Sequence, residues 1–359
     1  MFEKTWKKIV RRPRFSLWAP VALLLWFVSF FYRMGAAVVR VWRRRHRVKV
    51  SLPVISVGNI TVGGTGKTPL VELLARFLTE EGVRVGVVCS GYGRQSRESI
   101  VAPGYKLQQR RTQDTGDEVM QLAYQLPETV FAVGPTKAAA AVELARSGEV
   151  DLIVVDDGFQ HHQLHRDLDI VAFDASVKRR YLKMFPCGLL REPLRSLCRA
   201  DIIIITRAKF ARDMLALKDR LSRLSPGAAL YSAAFEADEI VGREASYSVK
   251  YLEDKSVFLF AGVGHFRTLK KQVSALCPDI DCALELSDHQ VYDRDLLERI
   301  KALTDSHDSD VILTTFKDWV KIGNFDFGRE IYYLTQSIDL DPGEEKLIEH
   351  ITARLNLGR

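Results

Sequence analysis

Short runs of apolar residues alternate along most of this chain with segments whose apolar positions recur at helical spacing. Several runs, such as 152–156 and 201–206, are rich in Val and Ile, as expected for strands covered on both faces of a parallel sheet. Strands that alternate with helices indicate βαβ units. In this first part the predicted strands are 53–58, 84–89, 129–133, 152–156, 168–173 and 201–206, and the predicted helices include 69–78, 117–125 and 137–146.

A second α/β set is predicted after a charged helical connector near residues 210–225. Its strands are expected at 257–261, 282–286, 311–315 and 331–334, whereas residues 226–250 show no clear periodicity. The predicted fold class is α/β, with a doubly wound parallel-sheet domain over 51–215. A second, smaller α/β domain over 216–359 is predicted to close the active-site cleft.

Residues 1–50 form a separate basic and aromatic segment that is predicted to attach to a membrane. They hold 13 Lys and Arg against one acid, and the stretch 15–32 is uncharged and rich in Trp, Phe and Tyr. This composition suits the boundary of an anionic leaflet, whether the segment spans once or lies in the interface. A signal peptide is the alternative, but no small-residue cleavage site follows. A monotopic helix with both flanks cytoplasmic reconciles the cations on its two sides.

Charge and cysteine usage narrow the function classes. The whole chain has a net charge of +7, so the part beyond residue 50 is acidic and has no field suited to nucleic acid. The five cysteines form no C-x-x-C pair and no zinc spacing, which fits a reducing compartment.

The stretch ISVGNITVGGTGKTP, residues 55–69, runs from an apolar strand through a glycine-rich loop into a helix. Glycines let backbone N–H groups converge on an anion, and Lys67 and Thr68 are placed to contact phosphates and Mg²⁺. ATP and Mg²⁺ are therefore the predicted cofactors of a P-loop-type domain. A glycine-rich turn without a ligand is the alternative, since the standard pattern has glycine at position 61. The loop residues assigned to the nucleotide are Thr61, Val62, Gly63, Gly64, Thr65, Gly66, Lys67 and Thr68.

Two acids end the apolar run DLIVVDD, residues 151–157. An aspartate at such a strand end can reach the Mg²⁺ held by a phosphate loop, although either Asp156 or Asp157 alone can also be a turn residue. The nearby histidines at 161, 162 and 165 suggest zinc, but a nucleotide site explains the cluster better because no cysteine ligand is close.

Further candidate residues lie in DTGDEV, residues 114–119, and in ELSDHQVYD, residues 285–293. Asp117 is interpreted either as a cap or first-turn acid or as a general base for an attacking hydroxyl. His289 follows a strand, where a lone histidine is more often a surface or capping residue.

Together these motifs resemble the tetraacyldisaccharide 4'-kinases, the lipid A 4'-kinases of Gram-negative bacteria. The similarity runs through nearly the whole chain, in the order SVGNITVGGTGKTP, GYGR, GDE, DDGFQHH, GLLREPL, ITRA, AGVG, SDHQVY and TTFKD. The resemblance implies two α/β/α sandwiches with the active site between them and an N-terminal helix on the inner membrane. The phosphate loop of that family also has a small polar residue where the standard pattern has glycine.

The resemblance also implies roles for individual residues. Asp117 is expected to be the catalytic base, tuned by His289, while Lys67 contacts phosphate and Arg191 stabilises the transferring phosphoryl group. The expected metal residues are Thr68, Asp156, Asp157 and Glu192. Gln160 and His161 are expected beside the nucleotide phosphates, Tyr92 and Arg94 at the sugar phosphate, and Glu118 as support for the base.

Three positions depart from the family pattern. Ser90 and Gln290 replace an arginine and a histidine, and Lys137 stands where an arginine is usual. A lysine ammonium lacks the bidentate fork of a guanidinium, so these changes affect how substrate and phosphate are held.

The predicted function is an ATP-dependent lipid kinase that phosphorylates the 4'-hydroxyl of a tetraacyldisaccharide 1-phosphate precursor of lipid A. Its expected partners are that lipid and inner-membrane lipid at the cytoplasmic face, with no nucleic acid and no obligate protein partner. One rival is a membrane-associated P-loop ATPase switch, which would tend to have lysine where Val62 stands. The other is a soluble small-molecule kinase, against which the aromatic segment argues.

Overall fold

The computed structural model describes residues 6, 10, 19–90, 94, 98–110, 112–264, 266–287 and 290–356. Its helices are α1 (Ala19–Arg45), α2 (Lys67–Glu80), α3 (Gly104–Leu107), α4 (Thr112–Thr115), α5 (Asp117–Gln125), α6 (Lys137–Ser147), α7 (Met214–Leu224), α8 (Phe266–Val273), α9 (Arg294–Ser306), α10 (Phe316–Ile322) and α11 (Glu344–Leu355). Its strands are β1 (Val54–Asn59), β2 (Val85–Cys89), β3 (Ile100–Pro103), β4 (Val130–Val133), β5 (Leu152–Asp156), β6 (Leu168–Asp174), β7 (Ile202–Thr206), β8 (Ala229–Val241), β9 (Ser246–Ser248), β10 (Ser256–Ala261), β11 (Asp279–Glu285), β12 (Val311–Thr315) and β13 (Ile331–Asp341).

The described strands form one sheet in the order β11-β10-β12-β13-β8-β7-β6-β1-β5-β2-β4-β3, with β9 paired to β8. The first part runs parallel from β7 to β4, and β3 closes it as an antiparallel edge. The second part, β11-β10-β12-β13, is also parallel. The predicted α/β class with a doubly wound, mainly parallel sheet is confirmed.

Two long strands join the two parts of the sheet. β8 pairs in parallel with β7 and antiparallel with β13. All ten predicted strands are present, but β3, β8 and β9 were not predicted. β8 is buried at 231–233 and at Ile240 and is partly or largely exposed elsewhere, so it lacks the continuous apolar run of the covered strands. The predicted division into 51–215 and 216–359 stays a prediction, since the sheet continues through both ranges.

The phosphate-loop candidate is held by a well-packed strand and helix. Every residue of β1 is buried, and Leu70, Leu74 and Leu78 of α2 are fully buried against the same core. Their four-residue spacing places them on one face of the helix, and each buried leucine contributes about 1.5–3 kcal/mol. Packing along the whole helix therefore fixes its first turn at the carboxyl end of β1.

Helix α1 extends well beyond the uncharged stretch that suggested it. Its 27 residues give a length of about 40 Å, and large apolar side chains such as Leu23, Trp26 and Phe30 are exposed. Among the described residues, one helix is long and apolar enough to cross a membrane, and it lies within α1 at Leu23–Arg45. The side of α1 that faces the protein is held by Ser29, whose hydroxyl donates to the carbonyl of Met184 at 3.2 Å.

Candidate active site

Two glycines shape the loop between β1 and α2. Gly63 and Gly66 have φ of 114° and 83°, in the left-handed region that favours glycine. A Cβ at Gly66 would lie 2.7 Å from the ring of Phe235 in β8, so a side chain is also excluded by packing. Gly66 caps α2, and Lys67 and Thr68 occupy the first turn, where the helix dipole and free N–H groups favour an anion.

Thr61 occupies an extended part of the loop, which explains why glycine is not needed there. It forms an antiparallel bridge with Leu190. On either side of the bridge, the N–H of Val62 donates to the carbonyl of Leu189 at 2.7 Å, and the N–H of Arg191 donates to that of Ile60 at 2.8 Å. The same pairing brings Arg191 to the loop.

Asn59 supports the loop from beneath and was not identified from the sequence. Its side chain is fully buried, and Nδ2 donates to Oγ1 of Thr65 at 2.9 Å. Gln160 donates from Nε2 to the backbone carbonyl of Asn59 at 2.5 Å. A polar residue that ends an apolar strand directly before a glycine-rich loop is the signal by which Asn59 could have been found.

Lys137 holds the turn at the end of β5, the strand next to β1. Its buried ammonium donates to the backbone carbonyls of Asp156 at 2.6 Å and Asp157 at 2.7 Å. Asp157 has φ of 48°, so the chain turns sharply there. The lysine that departs from the family pattern therefore binds backbone oxygens as a point charge, a task that needs no guanidinium fork.

Asp157 lies between two cations. Its Oδ1 is 3.3 Å from Nζ of Lys67, and its Oδ2 accepts a hydrogen bond from Nη1 of Arg191 at 2.9 Å. Burial alone would raise the pKa of this carboxyl, but Lys67 and Arg191 outweigh burial and lower the pKa well below its ordinary value. Asp157 is therefore ionised at neutral pH and compensates the two cations.

Asp156 has the opposite environment. The residue is 3% exposed, and its Oδ1 has no hydrogen-bond partner among the described residues. Burial, followed by the charge of Glu118, raises the pKa of Asp156 to about 7. Asp156 ends β5, the strand next to β1, and β1 leads into the loop that carries Thr68. A buried carboxylate oxygen with no hydrogen-bond partner in the described ranges fits a cation ligand at this place.

Glu192 is surrounded by two arginines and a histidine. Its carboxylate accepts from Arg199 at 3.0 Å, is 3.3 Å from Arg40 of α1 and is 3.4 Å from Nε2 of His162. Burial opposes ionisation, yet His162 and the two arginines lower the pKa of Glu192 to about 2. That Glu192 belongs to the Mg²⁺ shell stays a prediction; in this structure its oxygens face these three side chains.

The histidine and glutamine predicted to face phosphate are positioned beside Asp157. Burial, reinforced by Lys137, lowers the pKa of His161 to about 4, so its imidazole is neutral at pH 7. Its Nε2 and Oε1 of Gln160 are buried and have no hydrogen-bond partner in the described part of the chain. Both side chains line a cavity of about 440 Å³.

This cavity lies between α1 and the residues that follow β2, β4 and β5. On the α1 side it is lined by Tyr32, Arg40 and Arg43, and on the other side by Lys137 and Arg191, among others. Asp157 and Glu192 also line the cavity, but the four cations outnumber the two acids, so the cavity suits an anionic ligand.

Asp117 begins α5, directly after Gly116, and its carboxylate forms an ion pair with Lys321 of α10. The helix of Asp117 precedes β4 in the first part of the fold, and the helix of Lys321 follows β12 in the second. Lys321 was not among the predicted site residues, although it lies three residues after the TTFKD motif.

Comparison with known proteins decides the family. The family model for tetraacyldisaccharide-1-P 4'-kinase matches residues 21–356. A tetraacyldisaccharide 4'-kinase from Geobacter metallireducens is 32% identical over 306 residues, which cover 85% of this chain and 86% of the relative. One from Syntrophus aciditrophicus is 30% identical over 353 residues, or 94% of each chain. The chain belongs to the tetraacyldisaccharide-1-P 4'-kinase family.

The fold of this family member also resembles a solved structure. The crystal structure of the "apo" form of LpxK from Aquifex aeolicus in complex with ATP matches with a TM-score of 0.75 at 24% identity, over 93% of this chain and 99% of that one. The resemblance inferred from the motifs is confirmed, and the protein is a kinase rather than a P-loop switch without an acceptor.

Two of the predicted residues, Tyr92 and His289, lie outside the described residues. Arg94 donates from Nη1 to the carbonyl of Glu98 at 2.9 Å. The remaining predicted residues lie around the phosphate loop, the end of β5 and the start of α5.

Proposed function

We propose that this family member transfers the γ-phosphate of ATP to the 4'-hydroxyl of a tetraacyldisaccharide 1-phosphate precursor of lipid A. The observation that supports it best is the pairing of Lys67 and Arg191 with Asp157, next to Asp156, whose Oδ1 has no hydrogen-bond partner in the part of the chain that the structure describes. A phosphoryl-transfer site needs cations for the phosphate oxygens and a carboxylate for the metal, and little covalent chemistry from the protein.

ATP binds on the loop from Thr61 to Thr68, where backbone N–H groups and Lys67 face the phosphates. The triphosphate takes the place of Asp157 as the negative partner of Lys67. Gln160 and the neutral His161 supply hydrogen bonds beside the phosphates without adding a second charge.

In this proposal Thr68 and Asp156 would hold Mg²⁺, while Asp157 compensates Lys67 and Arg191 until the triphosphate binds. No group of three or more His, Cys, Asp and Glu that could hold a metal is found in the described ranges. That fits Mg²⁺, which is usually bound by one or two carboxylates together with phosphate oxygens and water. When bound, Mg²⁺ neutralises charge on the β- and γ-phosphates.

When ATP binds, Arg191 exchanges its ion pair with Asp157 for the transferring phosphoryl group, which it stabilises. Its neighbour Glu192 is fixed by Arg40, Arg199 and His162, so the backbone that presents Arg191 is anchored on both sides. Glu192 therefore acts by position rather than as a metal ligand.

Asp117 accepts the proton of the attacking 4'-hydroxyl, and we retain His289 as its partner and Glu118 as its support. The charged head of the acceptor occupies the cavity beside α1, next to Arg40 and Arg43. Tyr92 and Arg94 are retained as contacts of the sugar phosphate.

The exposed apolar side chains of α1 enter the inner membrane from its cytoplasmic face, so the acyl chains stay in the leaflet while the sugar reaches the site. This arrangement needs no nucleic acid and no obligate protein partner. The range 216–359 acts as the part that closes the cleft over 51–215.

Two substitutions test the division of roles. Lys67→Met should weaken ATP binding, since it removes the cation on the β- and γ-phosphates. Asp117→Asn should keep ATP affinity within about twofold and lower turnover by at least about 100-fold, because the base is lost. Titration with a fluorescent ATP analogue and measurement of phosphate transfer check both. Loss of ATP binding in Asp117→Asn would make Asp117 a structural residue and contradict the proposal.

A further inference from the structure

The geometry points to Lys321 as a positioning residue that holds the carboxylate of Asp117 for catalysis. The inference rests on the proposed role of Asp117 as the base. Lys321 lies in α10, after β12, and would act on the reaction through Asp117.

The helix that carries Lys321 is firmly placed. α10 starts directly after β12, and Thr315 caps it by accepting from the N–H of Asp318. Asp318 is fully buried, and its Oδ2 accepts from the N–H of Gly262 at 2.9 Å and from the hydroxyl of Thr315 at 2.7 Å. These bonds fix the start of α10 to the carboxyl ends of β10 and β12, so Lys321, one turn later, has a defined origin.

The ammonium of Lys321 has two partners from different parts of the molecule. It pairs with the carboxylate of Asp117, and it donates to the backbone carbonyl of Gln290 at 3.2 Å. The lysine side chain is 8% exposed and that of Asp117 is 23% exposed, so water competes weakly for the lysine. The rings of Tyr124 and Phe316 add an edge contact between α5 and α10, with centroids 6.2 Å apart.

This geometry has one consequence for a carboxylate base. The directed N–H groups of Lys321 restrict the rotation of the Asp117 carboxylate, and a misplacement of about 1 Å in such a group can cost about 100-fold in rate.

The same ammonium also ties the base to the backbone of Gln290. Gln290 follows β11 along the chain, whereas Asp117 follows β3. Lys321 therefore links the base to elements at the other end of the sheet.

A purely structural contact is the competing explanation, and steady-state kinetics separates the two. Lys321→Met keeps the apolar length of the side chain and removes the charge, and Lys321→Arg keeps the charge. The matched control is Lys301→Met, because Lys301 also pairs with an aspartate, Asp305 at 3.2 Å, and donates to a backbone carbonyl, that of Phe327 at 3.0 Å, away from the site.

The full-length protein in detergent is assayed with ATP·Mg²⁺ and the disaccharide 1-phosphate lipid. We expect Lys321→Met to lower kcat about 10- to 100-fold, to leave KM for ATP within about twofold, and to keep the thermal midpoint close to that of Lys301→Met. Lys321→Arg should recover part of kcat. In an Asp117→Asn background the Met substitution should cost little more, because the two residues act as a unit.

Several results would overturn the inference. An unchanged kcat in Lys321→Met would show that the lysine does not position the base. So would a kcat loss in both Lys321 variants that tracks a fall in the thermal midpoint, or independent losses in the double variant. If the wild-type protein transfers no phosphate to the lipid, the proposed function itself fails, which is distinct from these outcomes.

Discussion

Nζ of Lys67 and Oδ1 of Asp157 lie 3.3 Å apart, and Arg191 pairs with the other oxygen of the same carboxylate. One acid thus compensates two cations that face the phosphate loop. The triphosphate of ATP supplies the same negative charge, so nucleotide binding exchanges one anionic partner for another.

Replacing Asp157 should therefore destabilise the protein mainly when nucleotide is absent. Asp157→Asn leaves Lys67 and Arg191 without their shared anion. Because both pairs are partly exposed, we expect a loss of about 1 kcal/mol, or a fall in Tm of roughly 2–4 °C. Thermal unfolding with and without ATP·Mg²⁺ checks this, and the difference from wild type should narrow with nucleotide. An equal difference under both conditions would contradict the exchange.

The raised pKa of Asp156 predicts a pH-dependent stability. Its pKa is about 7 in the folded protein but ordinary in the unfolded chain, so the folded state binds more protons between these values. Stability therefore falls as pH rises toward about 7, and the full penalty remains above it. Without nucleotide and metal, Asp156→Asn should raise Tm at pH 8 by roughly 2–4 °C and by less at pH 5. A Tm difference that does not change with pH would refute this environment for Asp156.

The bridge between Thr61 and Leu190 predicts that restoring the standard glycine gives no benefit. Thr61→Gly adds backbone freedom to the unfolded chain at an extended position, which should cost roughly 0.5–1 kcal/mol. We expect KM for ATP to stay within about twofold of wild type. Urea unfolding and ATP titration measure the two quantities, and a clear gain in ATP affinity would mean that the loop needs a conformation threonine disfavours.

Arg40 of α1 pairs with Glu192 at the cavity proposed for the acceptor. This position predicts that α1 acts in acceptor binding. Arg40→Gln should raise KM for the lipid several-fold and leave KM for ATP nearly unchanged, since Arg40 lines the cavity proposed for the charged head. Arg33→Gln is the matched control, because it removes an exposed arginine from the same helix. Kinetics in mixed micelles measure both constants, and equal effects of the two substitutions would indicate a general role of helix charge.

The parallel-sheet strands could be predicted because burial on both faces leaves a continuous apolar run. The phosphate loop and the acids at 156 and 157 could be predicted because glycine and carboxylate chemistry is local in sequence. β8 could not be predicted, because it pairs with both β7 and β13 and the exposure of its residues changes along its length.

Side-chain pairs that form only through tertiary contact could not be predicted from the sequence either. Nothing near Lys321 in the sequence indicates that its ammonium meets Asp117, more than 200 residues earlier. Arg40 of α1 and Arg199 both pair with Glu192 in the same way. In the sequence these two residues look like ordinary surface arginines, because only the fold brings them together.

The most direct test of the account follows the γ-phosphate. The purified protein is incubated with γ-³²P-labelled ATP, Mg²⁺ and a tetraacyldisaccharide 1-phosphate lipid, and the label is followed into the organic phase, with Asp117→Asn in parallel. We predict a lipid product that carries a new phosphate at the 4'-position, made by the wild type and not by the variant. Label that appears only as free phosphate in the aqueous phase, at equal rates in both proteins, would contradict the account.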